Sequence, residues 1–137
     1  MDSTLPLQKL EKETFAPYGL LLTRDPEGEA FQALFSDTSA TCGWRVAILE
    51  VESGPIKRVH RHPDSEECFS PLSGTPCIAV ALPESPEELV TFRLDQPICM
   101  RRHVWHEVFT LDNQPSQVFI AENATLSGEE HFLSNGD

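Results

Sequence analysis

An all-β fold in a single domain is predicted by three observations. The chain has 137 residues, enough for one core and too few for two. Runs with β-type alternation recur at roughly 8–12-residue spacing. Turn chemistry separates them, in "SGTP" (73–76), "LDQP" (94–97) and "LDNQP" (111–115). Together these point to a β-sandwich or small barrel.

The elements follow in chain order. Helix is expected only near the start, where "PLQKLEKETFAPYG" (6–19) supports a turn or two before Pro17 stops it. Residues 1–19 are thus an arm, about 40–123 the barrel, and 124–137 a polar tail. "GWRVAILEV" (43–51) alternates bulky apolar side chains through Trp44, Val46 and Ile48, as a strand does. A strand over 57–62 and another opening at "EECFSPL" (66–72) come next. "CIAVAL" (77–82) is apolar throughout, the pattern of a strand buried on both faces. The acidic, proline-spaced "LPESPEEL" (82–89) reads as a loop. "LVTFRL" (89–94) and "SQVFIAEN" (116–123) supply further strands. Phe69, Phe92, Phe109 and Phe119 are the expected hydrophobic lining, Trp105 a packing residue, and His131 a solvated one.

Composition narrows the partners. A net charge of -12 repels nucleic acid and anionic membrane surfaces. The opening "MDSTLPLQKLEKE" has neither the basic nor the apolar region of a signal peptide, so cytoplasmic residence is expected. Cys42, Cys68, Cys77 and Cys99 form no C-x-x-C pair and are expected to be buried free thiols.

Against that acidic background, cations and imidazoles are concentrated. Residues 57–62 hold Lys57, Arg58, His60, Arg61 and His62, and residues 101–106 hold Arg101, Arg102, His103 and His106. That is nine of the fifteen such residues, the 10 Lys+Arg and 5 His together, which suggests an anion- or metal-binding pocket. In a strand, Arg58, His60 and His62 share one face, and imidazoles two residues apart can reach one ion. Glu67 shares its parity with Phe69. Glu66 replaces it as the inward carboxylate if a one-residue bulge intervenes. In the second cluster His106 shares a face with Arg102 and Val104, with His103 as its rival. Arg61 points outward, toward an acidic neighbour.

Gly54, His60, His62, Glu67 and Gly74 stand at every spacing of the first cupin motif, G(x)5HxH(x)3,4E(x)6G. His106 resembles the histidine of the second motif, although the P-x-G before it is absent. The resemblance implies a double-stranded β-helix, a small jelly-roll barrel, with His60, His62, Glu67 and His106 holding a divalent metal such as Zn, Mn, Ni or Fe. "FAPYG" (15–19), "RHPDSEECFSPLSG" (61–74), "RRHVWHEVF" (101–109) and "FIAEN" (119–123) further resemble segments of the ureidoglycolate lyase family. That family cleaves ureidoglycolate to glyoxylate and urea. Asn123 departs from it, standing where Arg is usual, and the full H-x-H…E set is more metal-like than in its named relatives.

Carried onto this chain, the resemblance implies a carbon–nitrogen lyase in which His62, His106 and Glu67 are catalytic. Arg58 and Arg102 would bind the carboxylate of a small anionic substrate. The alternatives are another metal-dependent cupin enzyme, an isomerase or oxygenase, and a non-catalytic small-ligand-binding cupin. Open sheet edges and the short arm lead us to expect a homodimer.

Overall fold

The computed structural model describes residues 6–30, 32–37 and 43–134. The elements run β1 (Leu7–Gln8), α1 (Lys12–Phe15), β2 (Gly19–Leu21), β3 (Trp44–Val51), β4 (Arg58–Arg61) and β5 (Glu67–Ser73). They continue with β6 (Pro76–Ala81), β7 (Val90–Arg93), β8 (Ile98–Met100), β9 (Trp105–Thr110), β10 (Ser116–Asn123) and β11 (Glu129–Phe132). They form two sheets, ordered β1-β7-β6-β9-β4-β11 and β2-β8-β5-β10-β3. All pairings are antiparallel except β1 with β7. The fold class is the all-β, two-sheet barrel that the sequence predicts. Among the described residues, no helix is long and apolar enough to cross a membrane.

Alternation places the core between the sheets. Ile78 and Val80 of β6, Phe92 of β7, Ile98 and Met100 of β8, and Phe69 of β5 meet there. Phe15 of α1 closes one end, packed edge-on to Phe92 with ring centroids 5.4 Å apart. Truncating any of the three buried phenylalanines to Ala would cost about 3–5 kcal/mol through lost transfer and a residual cavity. β6 is buried on both faces because Ala81 joins Val59 and Trp105 in a second, smaller cluster behind the sheet.

Four expectations change. Helix is confined to Lys12–Phe15, because Leu7 and Gln8 pair with Thr91 and Phe92 instead. The expected polar tail contributes β11, which pairs with β4, and His131 bonds Glu87 at 2.7 Å. Phe109 and Phe119 are only half-buried, since alternation gives their neighbours Val108 and Val118 the core positions. Cys68 is half-buried, while Cys77 and Cys99 are buried free thiols as expected; Cys42 lies outside the described residues.

Two glycines are demanded by backbone geometry. Gly74, the last residue of the histidine motif, turns β5 into β6 at φ 80°. A Cβ there would also sit 2.9 Å from the Ser116 Cα. At Gly19 an added Cβ would come within 2.8 Å of the Met100 Cα, because β2 and β8 approach closely there.

Candidate metal centre

Three side chains from different segments converge at one end of the barrel. Glu67 opens β5, His106 is the second residue of β9, and His62 lies one residue beyond the end of β4. Their donor atoms all lie within 4.8 Å of one another. The Glu67 Oε1 is 3.0 Å from the His106 Nε2, and its Oε2 is 3.7 Å from the His62 Nε2. Glu67 and His106 are buried; His62 is partly so.

Backbone carbonyls fix what each imidazole presents. The His106 Nδ1 faces the Val104 carbonyl at 3.1 Å, and the His62 Nδ1 faces the Ser127 carbonyl at 2.9 Å. A carbonyl only accepts, so each Nδ1 carries a proton, and whenever the ring is neutral its Nε2 presents a lone pair. Two nitrogen lone pairs and a carboxylate are therefore directed at one point. Such an arrangement is repulsive unless a proton or a cation lies between them.

The donor set fits a divalent metal. Separations of 3.0 and 3.7 Å bracket the edge expected for ligands at about 2.1 Å bond length around one ion. Imidazoles braced through Nδ1 are the usual outer-sphere device. Nitrogen and oxygen donors suit Zn, Mn, Fe or Ni without choosing among them.

Local structure explains the bracing. The Asp64 carboxylate accepts the Ser127 N–H at 3.0 and 3.1 Å and the Ser127 hydroxyl at 3.2 Å. That contact, led by the Ser127 N–H, holds Asp64 below the usual carboxylate range and presents the Ser127 carbonyl to His62. His103, at φ 71°, turns β8 into β9 and donates its N–H to the His62 carbonyl at 3.2 Å. The two histidine clusters are thereby joined through the backbone.

Electrostatics follow from burial and proximity. Burial alone would raise Glu67, but the hydrogen bond and charge of His106, with His62 behind it, hold it at about 2. Burial likewise opposes the charged form of His106, yet Glu67 raises its pKa above the ordinary imidazole value. Phe69 sits edge-on to the His106 ring, with centroids 5.8 Å apart, on the core side.

Sequence reasoning missed Glu122. It pairs in register with Glu67 across β5 and β10, and its Oε2 accepts the Arg45 Nη2 at 2.6 Å. Its Oε1 is buried and accepts no N–H donor among the described residues. Burial, then the adjacent Glu67 carboxylate, raise Glu122 to about 7. The signal was present in "FIAEN", where alternation sets Glu122 on the face of the core residue Val118.

The other sequence candidates lie elsewhere. His60 is not brought into the cluster. Its Nδ1 meets the Glu107 Oε1 and its Nε2 the Glu130 Oε2, each at 3.1 Å. β4 ends at Arg61, so the strand alternation that would align His60 with His62 does not reach His62. Arg58 is exposed and pairs with Glu130 at 3.3 Å. Arg102 bridges Glu66 at 3.0 Å and Asp37 at 2.6 Å, so Glu66 faces Arg102 while Glu67 faces the histidines. His103 is exposed. Arg61 bonds Glu129 at 2.5 Å and lies 4.3 Å over the Trp105 ring.

Comparison with known proteins adds relatives to this geometry. The chain is 30% identical to the ureidoglycolate lyase of Rhizobium leguminosarum bv. trifolii (strain WSM2304), covering 97% of this chain and 93% of that protein. It is 29% identical to the ureidoglycolate lyase of Rhizobium etli (strain CFN 42) over the same shares. The ureidoglycolate lyase of Agrobacterium fabrum (strain C58) is 30% identical over 77% of this chain and 76% of its own. No protein-family model matches the chain. Among solved structures, a dTDP sugar isomerase from Desulfovibrio desulfuricans G20 superposes with a TM-score of 0.55 at 15% identity, covering 86% of this chain and 84% of that one. The capsular polysaccharide assembling protein CapF of Staphylococcus aureus matches at TM-score 0.55 and 16% identity, covering 67% and 27%. These two likenesses concern the cupin-type fold alone.

Proposed function

We propose that this chain, which belongs to the ureidoglycolate lyase family of cupins, cleaves the carbon–nitrogen bond of ureidoglycolate or a closely related ureido hydroxy acid. The products would be urea and glyoxylate or its analogue. The observation that carries this reading is the convergence of the His62, Glu67 and His106 donors on one point in a family member.

Breaking the bond removes a proton from the substrate hydroxyl and delivers one to the departing urea nitrogen. His62, Glu67 and His106 would hold a divalent metal, which would supply Lewis acidity to the substrate. The chain's own residues do the rest. Ser127 and Val104 keep the two Nε2 atoms aimed inward. Glu67 stays ionised through the neutral range, held there by the imidazoles. Phe69 and Val104, both buried, keep bulk water from the core side. Arg102, four residues before His106, is held by Glu66 and Asp37, and would have to leave them to take the substrate's carboxylate.

The test is urea release from ureidoglycolate by the metal-supplemented chain and by its Glu67→Gln variant. Release that follows substrate loss, and disappears in the variant, is expected. Oxygen consumption on another substrate, or thermal stabilisation by ureidoglycolate without turnover, would replace the lyase reading with an oxygenase or a binding module.

A further inference from the structure

The strand that carries Glu67 bears a second chemical feature on its opposite face. Cys68 of β5 stands directly across from Cys99 of β8 in the antiparallel register. The type of pair can be derived. The Arg101 N–H donates to the Tyr18 carbonyl and the Leu22 N–H to the Pro97 carbonyl, each at 2.9 Å. Odd-numbered residues along β8 therefore bond toward β2, and even-numbered ones toward β5. Glu67 with Met100 and Phe69 with Ile98 are the hydrogen-bonded pairs, so Cys68 with Cys99 is the non-hydrogen-bonded pair between them.

In such a pair the Cα atoms are about 4.5 Å apart. That falls within the roughly 4.4–6.8 Å that a disulfide spans without backbone movement. Access exists on both sulphurs' side of the sheet. Cys68 is half-buried, and Cys99 lines a cavity of about 340 Å³ with Leu20, Phe35, Arg101 and Arg102.

We propose that Cys68 and Cys99 are a reversible dithiol–disulfide pair, closed across β5 and β8 by a peroxide and reopened by a thiol reductant. Cys68, the more exposed of the two residues, attacks the peroxide oxygen and becomes a sulfenic acid, releasing water or an alcohol. The Cys99 sulphur then displaces hydroxide from it, the S–S bond forms, and the thiol proton leaves with that hydroxide as water. Two electrons pass from the thiols to the peroxide. The bond ties the strand holding Glu67 to β8 immediately beside the Glu67–Met100 pair. This inference stands independently of the lyase reading.

The test uses the full chain carrying Cys42→Ser and Cys77→Ser, so that only the pair remains. It is treated with equimolar hydrogen peroxide, alkylated, and weighed intact. A loss of about 2 Da, the two thiol hydrogens, with no alkylation and full recovery of both thiols after dithiothreitol, is expected. Alkylation of both cysteines, oxygen retained on Cys68, or a disulfide-linked dimer would each overturn the proposal. Peptide mapping of the oxidised native chain provides the second readout. A fragment joining residues 68 and 99 supports it, and one joining residue 68 to 42 or 77 refutes it.

Discussion

Protons and metal compete for the same lone pairs at the centre, and that competition sets its pH dependence. In the metal-free chain, the His106 imidazolium and the Glu67 carboxylate attract each other across 3.0 Å. Because His106 is raised, its contribution to stability is full below the ordinary imidazole value and fades as pH rises through the raised one. Glu67, lowered to about 2, loses its contribution only as pH falls toward that value. A metal must displace the His106 proton, so affinity should climb with pH across the range where that proton leaves. Calorimetric titration in two buffers of different ionisation heat should report protons released on binding below that range and fewer above it. Proton release that does not change with pH would contradict the assigned coupling. The Nε2 proton of His106 is a property of three-dimensional neighbours, and nothing in "RRHVWHEVF" foretells it.

Elements matter here for what they hold still. Asp64 touches neither imidazole through a hydrogen bond, yet it fastens the 124–128 turn whose Ser127 carbonyl braces His62. Asp64→Ala should lower metal affinity about tenfold while leaving the melting temperature of the metal-free chain nearly unchanged, since bracing partners act through the ligand. Isothermal titration beside thermal unfolding separates the two effects, and an equal drop in both would assign Asp64 to the fold instead. Gly74 belongs to the fold. Its left-handed φ and its contact with Ser116 predict that Gly74→Ala destabilises the chain by about 1–3 kcal/mol. A urea midpoint unchanged within error would remove the geometric reason for a glycine at the end of the motif. The strands themselves were legible because alternation and turn residues are local signals, as in "CIAVAL" and "LDNQP". β1, β2, β8 and β11 were not, since segments this short form strands only because neighbouring strands offer edges to pair with.

At the scale of the whole molecule, the barrel brings residues 62, 67 and 106 together although more than forty positions separate the first from the last. The sequence spacing made Glu67 and His106 readable, because each lies in a strand whose parity decides its face. His60 shows the limit of that reasoning. The motif's spacing places it beside His62, but the strand ends between them, and Glu107 and Glu130 occupy both of its nitrogens. Glu122 shows the converse. A pairing across β5 and β10 makes it part of the centre's electrostatics, and register cannot be read from one strand alone. Arg102 was expected to face the site with His106, whereas the structure shows it held by Glu66 and Asp37. Elemental analysis of the purified chain, its His60→Ala variant and its His62→Ala/His106→Ala double variant tests the central claim most directly. About one divalent ion per chain in the first two, and none in the third, is the expected result. Equal metal in the parent and the double variant, or loss of metal in His60→Ala with its fold intact, would contradict the centre described above.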